Sequence, residues 1–174
     1  MKNLIKIVNN FKGKKIGVIG DLMLDHFIWG DVERISPEAP VPVVLVKKET
    51  FVPGGAANTA NNIAHLGGKV FLVGIVGPDL AGKQLISELN KNKINIGGIF
   101  TDKNRLTIQK IRVIAKDHHV VRVDKEDSQY ISKDIEKKLL DFIISRIKRW
   151  DGIVVSDYAK GVITENLGKN LVSL

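Results

Sequence analysis

Three short apolar runs constrain the fold of this chain more than any other feature. They lie at 14–21, 70–77 and 151–157, and each ends at glycine or a polar residue. A continuous apolar run of this length is typical of a strand that is buried on both faces of a parallel sheet. Segments with helical spacing of apolar residues separate the runs, so the strands must be connected through helices. The pattern predicts an α/β fold with a mainly parallel sheet.

The helical segments carry recognisable start and stop signals. The sequence predicts helices at 56–66, 80–92 and 133–149, and a last one from Thr164 onward. Asp79 and Ser132 precede two of them, and their side-chain oxygens can accept hydrogen bonds from unpaired N–H groups of the first turn. Gly67 and Gly68 follow the first helix, as is usual at a helix carboxyl end.

A second strand pattern predicts a small separate sheet. Residues 106–114 and 119–124 alternate apolar and polar side chains, which indicates a half-exposed antiparallel hairpin. Three prolines at 37–42 favour an extended edge segment, and a strand follows at 42–47. We expect one domain over 1–174, with these extra strands at roughly 27–49 and 106–124 inserted into the α/β core.

Composition excludes several functional classes. The chain has no cysteine, which excludes disulfides and thiolate metal sites, and His118-His119 lack a third ligand, so we expect no metal site. The net charge is +8, but the basic residues are scattered and aromatic residues are only 6%, so we expect no nucleic-acid partner. Residues 1–11 lack a signal-peptide pattern, and no run reaches the ~20 apolar residues of a membrane helix. We expect a cytoplasmic protein that does not contact the membrane.

The segment from Gly54 to Asn58 allows two interpretations. Gly54 and Gly55 have no Cβ, so another group can approach their backbone closely, and a helix is predicted to begin immediately afterwards. The amino end of a helix attracts anions and hydroxyl oxygens through its unpaired N–H groups. The alternative is a tight loop closed by a closely packed, alanine-rich helix.

Polar residues follow the ends of two predicted parallel strands. Asp21 and Asp25 come at or just past the first strand, and Asp157 and Lys160 follow the strand at 151–157. In open α/β sheets this edge is where ligands bind.

Residues 77–84 nearly match a phosphate-binding loop. Gln84 lacks the hydroxyl that such a loop offers to Mg²⁺, and Pro78 removes a backbone N–H. We therefore expect a strand-to-helix turn in which Asp79 caps the helix.

Taken together, these motifs resemble the ribokinase family of sugar kinases, also called the PfkB family. The run Gly54-Gly55-Ala56-Ala57-Asn58-Thr59-Ala60 is followed by Gly67 after six residues and by Gly77 after nine more, which matches the first signature of the family. Segments 20–25, 34–44 and 156–161 further resemble the family members that phosphorylate heptose 7-phosphate in ADP-heptose synthesis. Those kinases often form the amino-terminal half of a bifunctional kinase/adenylyltransferase.

The resemblance implies a ribokinase-like three-layer sandwich with a small β lid, incomplete at its carboxyl end. Asp25 matches the acidic position that holds sugar hydroxyls, and the glycine turn with Asn58 matches positions that contact the sugar. Lys110, Arg112 and Lys160 are expected to meet a substrate phosphate. The complete expected substrate-binding set is Asp21, Asp25, Gly54, Gly55, Asn58, Lys110, Arg112, Asp157 and Lys160.

The implied reaction is transfer of a phosphoryl group from ATP with Mg²⁺ to the 1-hydroxyl of D-glycero-β-D-manno-heptose 7-phosphate. The second signature of the family, a Gly-Ala-Gly-Asp turn that supplies the catalytic base, does not occur in this sequence. We therefore assign no catalytic residue and expect the chain by itself to have little or no kinase activity.

The resemblance also implies a homodimer formed through the lid. Two alternatives stay open: a kinase for another sugar, and a non-catalytic module for sugar binding or dimerisation.

Overall fold

The computed structural model describes residues 7–8, 10–116 and 118–174. Within these residues the central sheet, sheet A, has the strand order β5-β4-β1-β8, and its neighbouring strands are parallel. The strands of sheet A are β1 (Lys15–Gly20), β4 (Lys69–Val76), β5 (Asn95–Thr101) and β8 (Gly152–Ser156). The predicted parallel sheet is confirmed.

The second sheet, which we call the lid, has the order β3-β2-β6-β7. Its strands are β2 (Leu22–Ile35), β3 (Pro42–Gly55), β6 (Ile108–Ala115) and β7 (His118–Lys125). The predicted hairpin is present as the antiparallel pair β6 and β7, whose connection includes Asp117, outside the described residues. Strand β2 pairs antiparallel with β3 and parallel with β6.

Helices cover both faces of sheet A. They are α1 (Ala56–His65), α2 (Leu80–Lys91), α3 (Lys133–Arg146) and α4 (Glu165–Ser173). The caps predicted at Asp79, Ser132 and Thr164 are confirmed, since each side chain accepts a hydrogen bond from a backbone N–H of the first turn. Among the described residues, no helix is long and apolar enough to span a membrane. Of the amino-terminal segment 1–11, residues 1–6 and 9 lie outside the described residues.

The alternation of side chains along the central strands produces two cores. Val18 and Leu72 belong to one cluster, which includes Ala57 and Ala60 of α1 and Leu85 of α2. The next residues along those strands, Ile19 and Val73, belong to a second cluster with Leu139 and Ile143 of α3 and Leu167 of α4. Successive side chains of a strand point to opposite faces, so these runs are apolar throughout and sheet A is the middle of three layers.

Two local features differ in extent from the prediction. Gly54 and Gly55 precede α1 as predicted, but they are also the last residues of β3 and pair with Met23 and Leu22 of β2. The strand predicted at 42–47 therefore continues without interruption to the start of α1. Asp25 lies past the end of β1 as predicted, and it is part of β2, a 14-residue strand.

A single buried carboxylate joins sheet A, the lid and the loop after β8. Asp21 lies between β1 and β2 and is fully buried. Its carboxylate accepts hydrogen bonds from the N–H groups of Tyr158 (2.8 Å), Lys160 (3.2 Å) and Val162 (3.1 Å). Its backbone carbonyl accepts the N–H of Ala56, the first residue of α1, at 2.9 Å. Asp21 thus fixes the path of residues 157–162, which we call the 157–162 loop.

Replacing Asp21 with alanine is expected to lower the free energy of unfolding by about 3 kcal/mol or more, because three backbone N–H groups, one of them buried, lose their acceptor. Urea unfolding followed by circular dichroism measures the change. Asp157→Ala is the matched control, since Asp157 is exposed and accepts one hydrogen bond, from Ala159. Equal losses in the two variants would contradict the role assigned to Asp21.

Candidate functional site

Asp25 and Arg112 form the centre of a polar site on one face of the lid. Oδ1 of Asp25 accepts a hydrogen bond from Nη1 of Arg112 at 2.5 Å, and both side chains are about one-fifth exposed, at 23% and 21%. The pairing of β2 with β6 creates this contact. Phe27 lies opposite Arg112 in the register, so Asp25 is two residues from the position opposite Arg112 and on the same face of the sheet. The guanidinium also lies 5.1 Å from the ring centroid of Phe27. Two contacts therefore fix Arg112, and Arg112 orients the carboxylate.

Gly54 provides the space beside the second oxygen of Asp25. A Cβ built on Gly54 would lie 2.8 Å from Oδ2 of Asp25, closer than a side chain tolerates. Gly55 has a φ of 56°, in the left-handed region that favours glycine, and it is the N-cap of α1. It makes no side-chain cap hydrogen bond, and Asn58 in the first turn of α1 is exposed. The glycine turn thus places next to a carboxylate a helix end that has no side-chain cap and whose first N–H is bonded to the Asp21 carbonyl.

Lys110 and Lys160 meet at a second cluster near Asp25. In the register of β2 and β6, Lys110 is the partner of Asp25. Nζ of Lys110 lies 3.2 Å from Oδ2 of Asp124 and 3.7 Å from Oε2 of Glu126. Nζ of Lys160 lies 2.8 Å from Oε1 of Glu126. A lid strand and the 157–162 loop therefore each contribute one ammonium group to the same carboxylate.

The positive charges in this cluster stabilise its carboxylates in the ionised form. The hydrogen bond from Lys160 lowers the pKa of Glu126, and the charge of Lys110 lowers it further. For Asp124, burial raises the pKa, but the hydrogen bonds and charges of Lys110 and Arg122 outweigh burial and hold the pKa below its ordinary value. Asp124 and Glu126 are thus ionised near neutral pH.

The nine expected site residues fall into four groups. The structure brings Asp25, Gly54 and Arg112 into contact, and it joins Lys110 and Lys160 through Glu126. Gly55 and Asn58 lie at the start of α1, next to Gly54 in the chain. Asp21 is buried with its carboxylate directed at backbone N–H groups, and the Asp157 carboxylate accepts the N–H of Ala159 in its own loop. We therefore leave Asp21 and Asp157 out of the proposed sugar contacts.

The segment 77–84 is the turn that the sequence predicts. The N–H of Gly77 donates to Oγ1 of Thr107 at 2.9 Å, and Asp79 accepts the N–H groups of Gly82 and Thr107, each at 2.8 Å. Partial burial raises the pKa of Asp79, but these hydrogen bonds outweigh burial and lower it. The N–H groups of Gly77 and Gly82 are thus bonded within the turn and are not free for nucleotide phosphates.

The described part of the chain contains no metal-binding cluster. Between residues 7 and 174, leaving out 9 and 117, no cluster of three or more His, Asp or Glu side chains is arranged to hold a metal ion. The charged clusters around Asp25 and Glu126 pair their carboxylates with Arg and Lys instead.

Sequence reasoning missed the partners that hold the basic residues. Phe27 supports Arg112, Asp124 holds Lys110, and Glu126 contacts both lysines. The alternation along 119–124 places Asp124 on a half-exposed strand but does not identify its partner. Glu126 follows that strand, and no local pattern connects it with a lysine 34 residues later.

Comparisons with known proteins agree with this architecture. The sequence profile of the pfkB family carbohydrate kinases matches residues 14–167. The chain is 52% identical over 161 residues to the bifunctional protein HldE of Helicobacter pylori (strain HPAG1), a match that covers 92% of this chain and 35% of that protein. It is 43% identical over 169 residues to the HldE of Sulfurimonas denitrificans, which covers 97% of this chain and 35% of that protein. The chain thus spans about a third of the length of these curated relatives.

Solved structures show the same fold at low sequence identity. Phosphofructokinase-2 from Escherichia coli, described as a tetrameric inhibited form, superposes with a TM-score of 0.65 at 20% identity, covering 92% of this chain and 50% of that one. A carbohydrate kinase from Agrobacterium tumefaciens gives a TM-score of 0.61 at 19% identity, covering 82% and 45%. The fold is therefore ribokinase-like, and the family match over most of the sequence shows that this chain belongs to the pfkB family of carbohydrate kinases.

Proposed function

We propose that this chain is the sugar-binding part and lid of an ATP-dependent kinase for D-glycero-β-D-manno-heptose 7-phosphate. The product is the 1,7-bisphosphate, an intermediate in ADP-heptose and lipopolysaccharide core synthesis, and the location is cytoplasmic. The similarity to bifunctional HldE proteins at 43–52% identity supports this choice over other sugar kinases.

The position of the Asp25 carboxylate is the observation that carries the proposal. Arg112 occupies Oδ1, and Oδ2 faces the side-chain-free surface of Gly54. A carboxylate oxygen held in this way accepts hydrogen bonds from sugar hydroxyls. Gly55 and Asn58 belong to the amino end of α1, which follows Gly54 directly and is proposed to contact the same sugar as Asp25.

The anionic end of the sugar is proposed to meet Lys110 and Lys160. Lys110 and Arg112 are two residues apart on β6, so their side chains leave the same face of the strand about 7 Å apart. In the register of β2 and β6, Lys110 is the partner of Asp25, so a sugar whose hydroxyls contact Asp25 can place a phosphate beside the lysines. A neutral sugar makes no use of the lysines, which favours a phosphorylated substrate.

The chain alone is proposed to bind the sugar without turning it over. ATP and Mg²⁺ are implied by the family, yet the N–H groups of Gly77 and Gly82 are bonded within their turn, and the sequence lacks a Gly-Ala-Gly-Asp turn. The same observation favours the second candidate, a non-catalytic module that binds sugar or dimerises, for the 174-residue polypeptide.

A homodimer is proposed to form through the apolar face of the lid. The face contains Ile28 of β2, Val44 and Val46 of β3, Val113 of β6 and Val121 of β7, which together line one surface depression. Val46 is 54% exposed and Val121 48% exposed, although valine favours burial. A second copy of the same sheet would cover these side chains.

Asp25→Asn is expected to weaken binding of heptose 7-phosphate to the 174-residue chain by at least about tenfold, because the amide is a poorer hydroxyl acceptor and breaks the pair with Arg112. Isothermal titration calorimetry with heptose 7-phosphate, fructose 6-phosphate and ribose measures both affinity and specificity. Heptose 7-phosphate is expected to bind most tightly.

Asp31→Asn is the matched control for this experiment. Asp31 lies on the same strand and pairs with Lys47 at the lid surface, at 3.9 Å, so its substitution is expected to leave sugar affinity unchanged. Gly54→Ala gives an independent check, since its new Cβ crowds Oδ2 of Asp25. Unchanged binding in Asp25→Asn would remove Asp25 from the site, and a preference for ribose would reject the heptose assignment.

The purified chain is expected to show no ATP-dependent phosphorylation of heptose 7-phosphate above the rate without protein. A coupled assay for ADP release, run at saturating sugar, checks this expectation. Sustained turnover that scales with protein concentration would contradict it and would place a catalytic base within the 174 residues.

Val46→Lys is expected to convert a dimer into a monomer, because it buries an unpaired charge in the proposed interface. Analytical ultracentrifugation measures the mass in solution. Val172→Lys is the control, since Val172 is 91% exposed on α4, away from the lid. A wild-type chain that is monomeric, or a Val46→Lys variant that stays dimeric, would rule out this interface.

A further inference from the structure

Among the described residues, Glu126 is the one side chain that contacts both a lysine of the lid, Lys110, and a lysine of the 157–162 loop, Lys160. Its Oε1 lies 2.8 Å from Nζ of Lys160, and its Oε2 lies 3.7 Å from Nζ of Lys110. The two lysine side chains are about one-fifth exposed, and the Glu126 side chain is one-third exposed. One carboxylate thus receives two ammonium groups from different parts of the fold.

The cluster carries a net charge of +1 when Glu126 is in place. Lys110, Lys160 and Arg122 bring three positive charges, and Asp124 and Glu126 bring two negative charges. Arg122 pairs with the other oxygen of Asp124 at 3.0 Å. An incoming dianion placed beside Glu126 would meet a like charge at short range, and the two would repel each other.

The position of Glu126 in the chain allows its carboxylate to move away from Lys110 and Lys160. It follows β7 by one residue, so its backbone is not part of the lid ladder. The hydrogen bonds and ion pairs of its side chain all go to Lys110 and Lys160. Its one-third exposure gives the side chain a path to solvent. Rotation outward would leave two ammonium groups converging on a position suited to one tetrahedral oxyanion.

We propose that Glu126 is an internal competitor for the anion site: a phosphate group binds Lys110 and Lys160 by displacing the Glu126 carboxylate. This inference rests on the proposed function only for the identity of the molecule that carries the phosphate, the phosphorylated sugar. The competition with Glu126 applies to any oxyanion that binds the two lysines. Without an anion, Glu126 links the lid to the 157–162 loop. With a phosphorylated ligand, the phosphate makes that link, so a neutral sugar leaves Glu126 where it is.

Glu126→Gln is expected to bind inorganic phosphate about tenfold more tightly than the wild type, because an uncharged amide competes weakly for ammonium groups and removes the repulsion. Titration of phosphate followed by the ¹⁵N chemical shifts of the 157–162 loop measures the dissociation constant. Adding Lys160→Met to Glu126→Gln is expected to remove the gain, and adding Lys110→Met is expected to reduce it.

Asp141→Asn is the matched control, since Asp141 is exposed on α3 and the substitution changes the net charge by the same amount. An equal gain in phosphate affinity in Asp141→Asn, or no gain in Glu126→Gln, would overturn the competition.

Urea unfolding of Glu126→Gln establishes that the lid is retained. A gain with phosphate but no binding of heptose 7-phosphate would reject the sugar assignment alone. Normal heptose 7-phosphate binding with no gain in Glu126→Gln would reject this inference alone.

Discussion

The buried carboxylate of Asp21 is the interaction on which the arrangement of the site depends. It lies where β1 of the parallel sheet passes directly into β2 of the lid, and it collects three backbone N–H groups of the 157–162 loop. Its own carbonyl holds the first N–H of α1. The two elements that carry Lys160 and the glycine turn are thereby fixed relative to the strand that carries Asp25. A carboxyl side chain has two oxygens, and here they accept the three N–H groups of the 157–162 loop within a small space.

Strand β2 follows Asp21 directly and belongs to the lid, so it fixes the lid residues relative to Asp21. Its first residues, Leu22 to Leu24, are buried in the core, whereas Asp25 and Phe27 face the polar surface. Pairing with β3 brings Gly54 against Asp25, and pairing with β6 brings Arg112 and Lys110 alongside. One strand therefore aligns a hydroxyl acceptor with two basic residues. In the proposed function, the lid is a part of the binding surface as well as a cover over it.

Much of the fold could be predicted because its signals are local. The buried strands, the caps at Asp79 and Thr164 and the hairpin of β6 and β7 all follow from short patterns, and they are present. The spacing of Gly54, Gly67 and Gly77 was enough to indicate the family, which the family profile confirms.

The environment of the candidate site was less predictable because it depends on contacts between distant residues. Asp21 and Asp25 are both acids near the first strand, and their sequence gives no sign that one is buried under the 157–162 loop while the other meets Arg112. Glu126 was missed for the same reason, since its partners lie on other elements. The turn at Gly54 and Gly55 follows from the glycines themselves, but their pairing with β2 depends on a distant strand and has no local signal.

The central claim is that the glycine turn and the lysine pair bind opposite ends of one phosphorylated sugar. A titration of the ¹⁵N-labelled chain with heptose 7-phosphate, followed by two-dimensional NMR, tests this most directly. The account predicts that the amide signals of Gly54, Gly55 and Asn58 shift together with those of Lys110 and Lys160, with one common dissociation constant. Shifts confined to one of the two groups, or centred on the turn at 77–82, would contradict it.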